Sequence, residues 1–194
     1  QPVDADCHFP VSLYDGCILP FPDHFFDRVF SSNVLEHIRD LGVTLAESRR
    51  VMKDGGVAIH ILPTPAWRIW TSLMHYIHLV MRVTGIRQTN VSKLSIDQTK
   101  NQIQALGVWE AIKRVLWAGP HGEYPCAFSE LWYFSRQRWV EVFRCNGFQV
   151  IAIAPSNIFY TGYGVLPWIP ISSRRILAHM LGSATRIFVL RKAP

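Results

Sequence analysis

Phe26-Asp27-Arg28-Val29-Phe30-Ser31 lies between the turn Leu19-Pro20-Phe21-Pro22-Asp23 and a helix-like stretch from Leu41 to Met52. Two prolines in the turn exclude both a helix and a central strand there. The apolar run 26–31 reads as a buried parallel strand. Thr44-Leu45-Ala46-Glu47 has the form of a capping box, in which hydroxyl and carboxylate satisfy the orphan amides of a helix start. Leu41, Leu45, Ser48 and Met52 share one helical face, Lys53 suits the last turn, and Asp54-Gly55-Gly56 stops the helix. Val57 to Leu62 is the next strand, ended by Pro63 and Pro65. Strand, helix and strand in this order make a βαβ unit and predict an α/β sheet.

Working outward, Val11 to Tyr14 reads as a short strand closed by Asp15-Gly16. Downstream, the alternation lapses over 66–134, which reads as a helical insertion or cap. It resumes with a helix over Ser135 to Cys145, stopped by Asn146-Gly147, and strands at Val150–Ala154 and Arg186–Arg191. The chain therefore divides into a core at 1–65, a cap at 66–134, and a closing helix with a strand pair at 135–194. Gly162-Tyr163-Gly164 lacks a third glycine and reads as a loop.

The length, 194 residues, suits one domain, and 49% hydrophobic against 18% charged residues excludes a disordered chain. Lys and Arg number 20 against 14 Asp and Glu, a net charge of +6 that favours acidic or phosphate-bearing partners without fixing a fold. Cys7, Cys17, Cys126 and Cys145 show no C-x-x-C spacing, which argues against a zinc knuckle or a disulfide framework. No secretory signal is visible, and a reducing, cytoplasmic setting is expected. Nucleic acid is not an expected partner, because no reading motif accompanies the basic residues Lys113-Arg114 and Arg174-Arg175.

From Tyr14 to Gly56 the residues follow the pattern DG-x-x-LPFPD-x-x-FD-x-V-x-S-x-x-LEH … E-x-x-RVLKPGG, with Met52 for Leu, Asp54 for Pro and one more residue between Ser31 and Leu35 among the departures. In this order and spacing the run resembles the class I S-adenosylmethionine-dependent methyltransferases. The resemblance implies a Rossmann-like sheet closed by an antiparallel strand pair, and S-adenosyl-L-methionine as cofactor. It implies methyl transfer to an O, N or C nucleophile of a small or lipid-like acceptor. The family's glycine-rich loop and ribose-binding acid do not precede Asp15, so the chain is expected to be an N-terminally truncated, C-terminal part of a larger enzyme. A non-catalytic binding or scaffold fragment of the same fold is the alternative.

In open α/β sheets ligands bind beyond the carboxyl ends of the strands. Asp15 ends one strand candidate and Ser32-Asn33 the next. Asp15 is expected to accept the adenine amino hydrogens, and the amides of Gly16 and Cys17 to donate to a ring nitrogen. Ser32 and Asn33 would line the methionine end. The same residues also fit plain roles, a turn for Asp15 and a helix N-cap for Asn33. His37 is a candidate general base for an acidic hydroxyl, and His121, in the loop before the closing helix, is a second. Ubiquinone-pathway O-methyltransferases with a similar run place a metal near Glu, Glu and His. Here the first of those positions is Asn33, and His75-x-x-His78 lacks a further ligand, so no metal is expected.

Between Ala66 and Gly85, polar residues fall at Arg68, Thr71, Ser72, His75, His78 and Arg82, with apolar residues around the remainder of the helix. Those charges argue against a membrane span. The wide apolar face from Trp67 to Met81 reads either as a buried cap helix or as a surface for peripheral membrane contact.

Overall fold

The computed structural model describes residues 12–83, 119, 121–123, 126–160, 162 and 166–194. Four strands, β1 (Phe26–Ser32), β2 (Met52–Pro63), β3 (Phe148–Pro155) and β4 (Thr185–Lys192), form one sheet in the order β1-β2-β4-β3. β1 and β2 are parallel, joined through α1 (Leu41–Val51); β4 runs antiparallel to both β2 and β3. The expected mixed α/β sheet closed by an antiparallel pair is therefore present. The structure differs from the sequence reading in two places: 12–14 form no strand, and the connection from β3 to β4 contains a helix, α5 (Ile171–Leu181). Its arginines and isoleucines lack the wide apolar stripe that marks a core helix in sequence, and Ile171, Ile176 and Met180 stay exposed.

α1 starts earlier than the capping-box reading placed it. Asp40 is the N-cap, its carboxylate accepting the Val43 amide, and Thr44 lies inside the first turn with its hydroxyl on the Asp40 carbonyl. The helix ends at Val51, and β2 begins directly at Met52. Phe26 pairs with Met52 but Arg28 with Val57, so Lys53-Asp54-Gly55-Gly56 bulges out of the ladder. A Cβ on Gly56 would lie 2.6 Å from the Met52 side chain and 2.9 Å from the Lys53 carbonyl oxygen, which explains why the second residue of the Gly-Gly pair carries no side chain.

One face of the sheet holds the main core. Ala58 and Leu62 of β2 with Phe188 and Leu190 of β4 pack against Leu45 of α1 and Trp139, Val142 and Phe143 of α4 (Arg136–Cys145). Ser135 caps α4 through the Arg138 amide, and the helix stops at Asn146-Gly147 as expected. On the opposite face Phe30 of β1 stays 63% exposed.

α2 (Pro65–Val83) leaves the carboxyl end of β2. Thr64 fixes its start: its hydroxyl donates to the Ser183 carbonyl and accepts the Trp67 amide. The helix is oriented against its amphipathic reading. Arg68 and Thr71, from the polar stripe, are buried, while Ile69, Leu73, Tyr76, Ile77 and Val80 form an exposed apolar stripe. Trp67 and Trp70 are half-buried and pack inward, Trp67 on Phe134 and Trp70 on Phe159, with the Trp70 indole donating to the Leu181 carbonyl. A short α3 (Ala127–Tyr133) packs beside α2. Among the described residues no helix is long and apolar enough to cross a membrane.

Candidate functional site

The double-proline turn is held by α1. Arg50 donates to the carbonyls of Leu19 and Phe21 and to the Asp23 carboxylate, and two of its nitrogens engage the two oxygens of Glu47. The Leu19 amide closes the set on Glu47 Oε2 at 2.8 Å. Hydrogen bonds from Arg50 and Leu19 hold the Glu47 carboxyl down to about 2. This clamp gives the paired motifs, LPFPD and E-x-x-R, their physical reason.

Ahead of the turn, Asp15 is exposed and its Oδ1 accepts the amides of Ile18 and Cys17, which lowers its pKa below the ordinary carboxylate value. The Cys17 amide is thereby engaged by the chain itself, as in an Asx turn. Asp15 Oδ2 is the oxygen left to an outside donor. Gly16 adopts φ +85°, a left-handed conformation that favours glycine, with open space where a Cβ would stand. Ser32 ends β1 and is exposed, as is Asn33. Asn33 sits at φ 51° with its amide on the Ile61 carbonyl, and the residue preceding the helical turn Leu35–His37 is Val34, so Asn33 is not an N-cap.

Beyond the carboxyl ends of β1 and β2, three separate stretches converge. His37 follows β1, Trp67 lies in the first turn of α2, and His121 comes from a loop far along the chain. The His121 ring packs 4.7 Å from that of His37 and 4.5 Å from that of Trp67. Both sequence-predicted histidines thus meet at one place, where this fold class binds ligands.

The loop is held from beneath. Glu130 of α3, fully buried, accepts the amides of His121 and Gly122 on Oε1 at 2.5 and 2.8 Å and pairs through Oε2 with the buried Arg68 at 3.0 Å. The Glu123 amide donates to the Glu36 carbonyl. Burial, with the nearby His37 and Arg68 charges, lowers the His121 pKa and favours its neutral form. Glu36 is 1% exposed, neither carboxylate oxygen has a hydrogen-bond partner among the described residues, and burial raises its pKa. Glu130 and Arg68 match no site pattern in the sequence, and Glu36 enters it only within Leu35-Glu36-His37. The one sequence signal for them was charge at positions otherwise buried, which becomes visible only with the helix orientation known.

The sequence profile of the methyltransferase-domain family matches residues 5–60. This segment is similar to that family. The chain is 37% identical over 59 residues to the ubiquinone/menaquinone biosynthesis C-methyltransferase UbiE of Cupriavidus metallidurans, covering 30% of this chain and 24% of that protein. It is 43% identical over 65 residues to a demethylmenaquinone methyltransferase of Parafrankia sp., covering 32% and 26% respectively. The chain thus spans about a quarter of these relatives' length. Similar solved structures include an S-adenosylmethionine-dependent methyltransferase from Mesorhizobium loti, with 12% identity, a TM-score of 0.45 and coverage of 92% of this chain and 67% of that one. Another is the complex of the Haloferax volcanii Trm112 methyltransferase activator with a methyltransferase, at 16% identity and a TM-score of 0.44, covering 93% and 60%.

Proposed function

We propose that the chain takes part in S-adenosylmethionine-dependent methyl transfer to an O, N or C nucleophile of a small-molecule acceptor. The family match of residues 5–60 carries this reading, and relatives named as quinone-biosynthesis methyltransferases support a small or lipid-like acceptor. The donor set fits the cofactor. Asp15 is an exposed carboxylate kept ionised by its own turn, suited to the adenine amino hydrogens, and Gly16 leaves room beside it. Ser32 and Asn33, exposed at the carboxyl end of β1, are the candidates for the methionine end. When bound, the cofactor supplies a methyl group on a sulfonium, open to direct displacement.

The chain's own contribution is positional. The Glu47–Arg50 clamp fixes the turn that follows Asp15. Glu130 holds the loop that carries His121, and Trp67 gives that imidazole a flat apolar wall. A neutral His121 or His37 can take the proton of an acidic hydroxyl when the acceptor must lose one. Calorimetric titration of S-adenosylmethionine tests the reading: saturable binding is expected, lost in Asp15→Ala and kept in His121→Asn. Binding that is indifferent to Asp15→Ala in a folded protein overturns the assignment of the adenine end.

A further inference from the structure

We propose that Glu36, His37 and His121 form a binding site for a divalent transition-metal ion. One carboxylate oxygen and one nitrogen from each imidazole lie within 4.8 Å of one another, and His37 Nε2 stands 3.9 Å from Glu36 Oε1. The second observation is Glu36 itself. A carboxylate that is 1% exposed, with neither oxygen hydrogen-bonded among the described residues, is costly to bury unless something charged compensates it. The imidazoles are at the mouth, both residues exposed, so the buried acid forms the floor of a three-donor cup opening outward.

Two imidazoles and one carboxylate suit a borderline ion such as Zn²⁺, with a fourth position left for water or an acceptor oxygen, rather than Mg²⁺ or Ca²⁺, which take oxygen ligands. Asn33, the position that argued against a metal from sequence, takes no part. The third donor arrives from a loop 84 positions beyond His37, a distance across which sequence spacing carries no signal. The surroundings are built to hold it: Glu130 clamps the His121 and Gly122 amides, and the Glu123 amide is tied to the Glu36 carbonyl. With an ion bound, the two histidines are ligands and not bases, and acidity of the acceptor comes from coordination. The site goes beyond the methyl-transfer reading and stands without it, because metal binding is read without activity.

The test is titration of chelator-treated protein with Zn²⁺ by calorimetry and with Co²⁺ by visible absorption. The expected result is one equivalent bound, with a ligand-field band of a four- or five-coordinate site. His37→Asn and His121→Asn each weaken binding about tenfold or more, the double variant abolishes it, and His179→Gln on α5 leaves it unchanged. No binding by folded protein, or binding that survives the double histidine variant, overturns the proposal. Glu36→Gln is expected to lose affinity as well. Should that buried change unfold the protein, the exposed histidine variants decide the matter. S-adenosylmethionine titration of the same samples separates this outcome from failure of the methyl-transfer reading.

Discussion

Arg50 and Glu47, one turn apart on α1, meet in a two-pronged ion pair with both contacts at 2.8 Å, and the remaining valences of both reach the Leu19–Asp23 turn. The pair therefore acts as a buckle between a helix and a proline turn with no regular structure of its own. Arg50→Ala is expected to free the carbonyls of Leu19 and Phe21 and to raise amide exchange at Leu19 well above wild type while α1 remains protected. Hydrogen exchange read by mass spectrometry checks this, and unchanged protection of 19–23 would show that the prolines alone hold the turn.

His60 is buried in β2, bonded to Ser31 at 2.7 Å and stacked 5.5 Å from Phe143. Burial lowers its pKa to about 4 from 6.5. The folded protein therefore resists a proton that the unfolded chain accepts, so stability is full above pH 6.5 and falls as the pH drops from about 6.5 to about 4. The loss from this group is on the order of 3 kcal/mol. Denaturant midpoints measured between pH 4 and 7 should fall with acid, and His60→Gln should flatten that slope. A slope unchanged by the substitution would assign the acid sensitivity elsewhere.

The Arg68–Glu130 pair is 2% and 0% exposed at its two side chains. Removing one partner leaves a buried charge, so Arg68→Met is expected to cost about 3–5 kcal/mol. Pairing it with Glu130→Leu should recover part of that loss, while the freed His121 and Gly122 amides keep the double variant below wild type. Urea unfolding of the two single variants and the double one forms the cycle. Purely additive losses would mean the two residues do not act as a pair.

Within the apolar face from Trp67 to Met81, the membrane-contact expectation narrows to the exposed stripe of Ile69, Leu73, Tyr76, Ile77 and Val80. Trp67 and Trp70 pack inward, so Trp70→Ala should lower stability by about 2–4 kcal/mol through lost packing. Leu73→Ser with Val80→Ser, on the exposed stripe, should leave stability within roughly 1 kcal/mol and reduce sedimentation with lipid vesicles. Vesicle binding that is unchanged in the second variant would dispose of peripheral contact through this helix.

The sequence by itself determined β1, α1, β2, α4 and the closing strand pair. Each is decided by local chemistry: apolar runs, prolines that cannot donate, a serine cap, a glycine at a chain reversal. It also placed Asp15, Ser32 and His37 in order, because a motif of fixed spacing reports a local shape. What it misplaced was local competition. Asp40 outcompetes Thr44 as N-cap, and α5 carries only a weak apolar stripe.

Only the tertiary structure decided which way α2 faces. Its periodicity predicts a helix whichever stripe is inward, and the buried partner Glu130, absent from any local window, draws Arg68 into the interior. The same long-range packing brings His121 to His37 and leaves the Glu36 carboxylate buried between them. Burial and charge compensation are properties of neighbours in space, and they are set by the fold once those distant segments have come together.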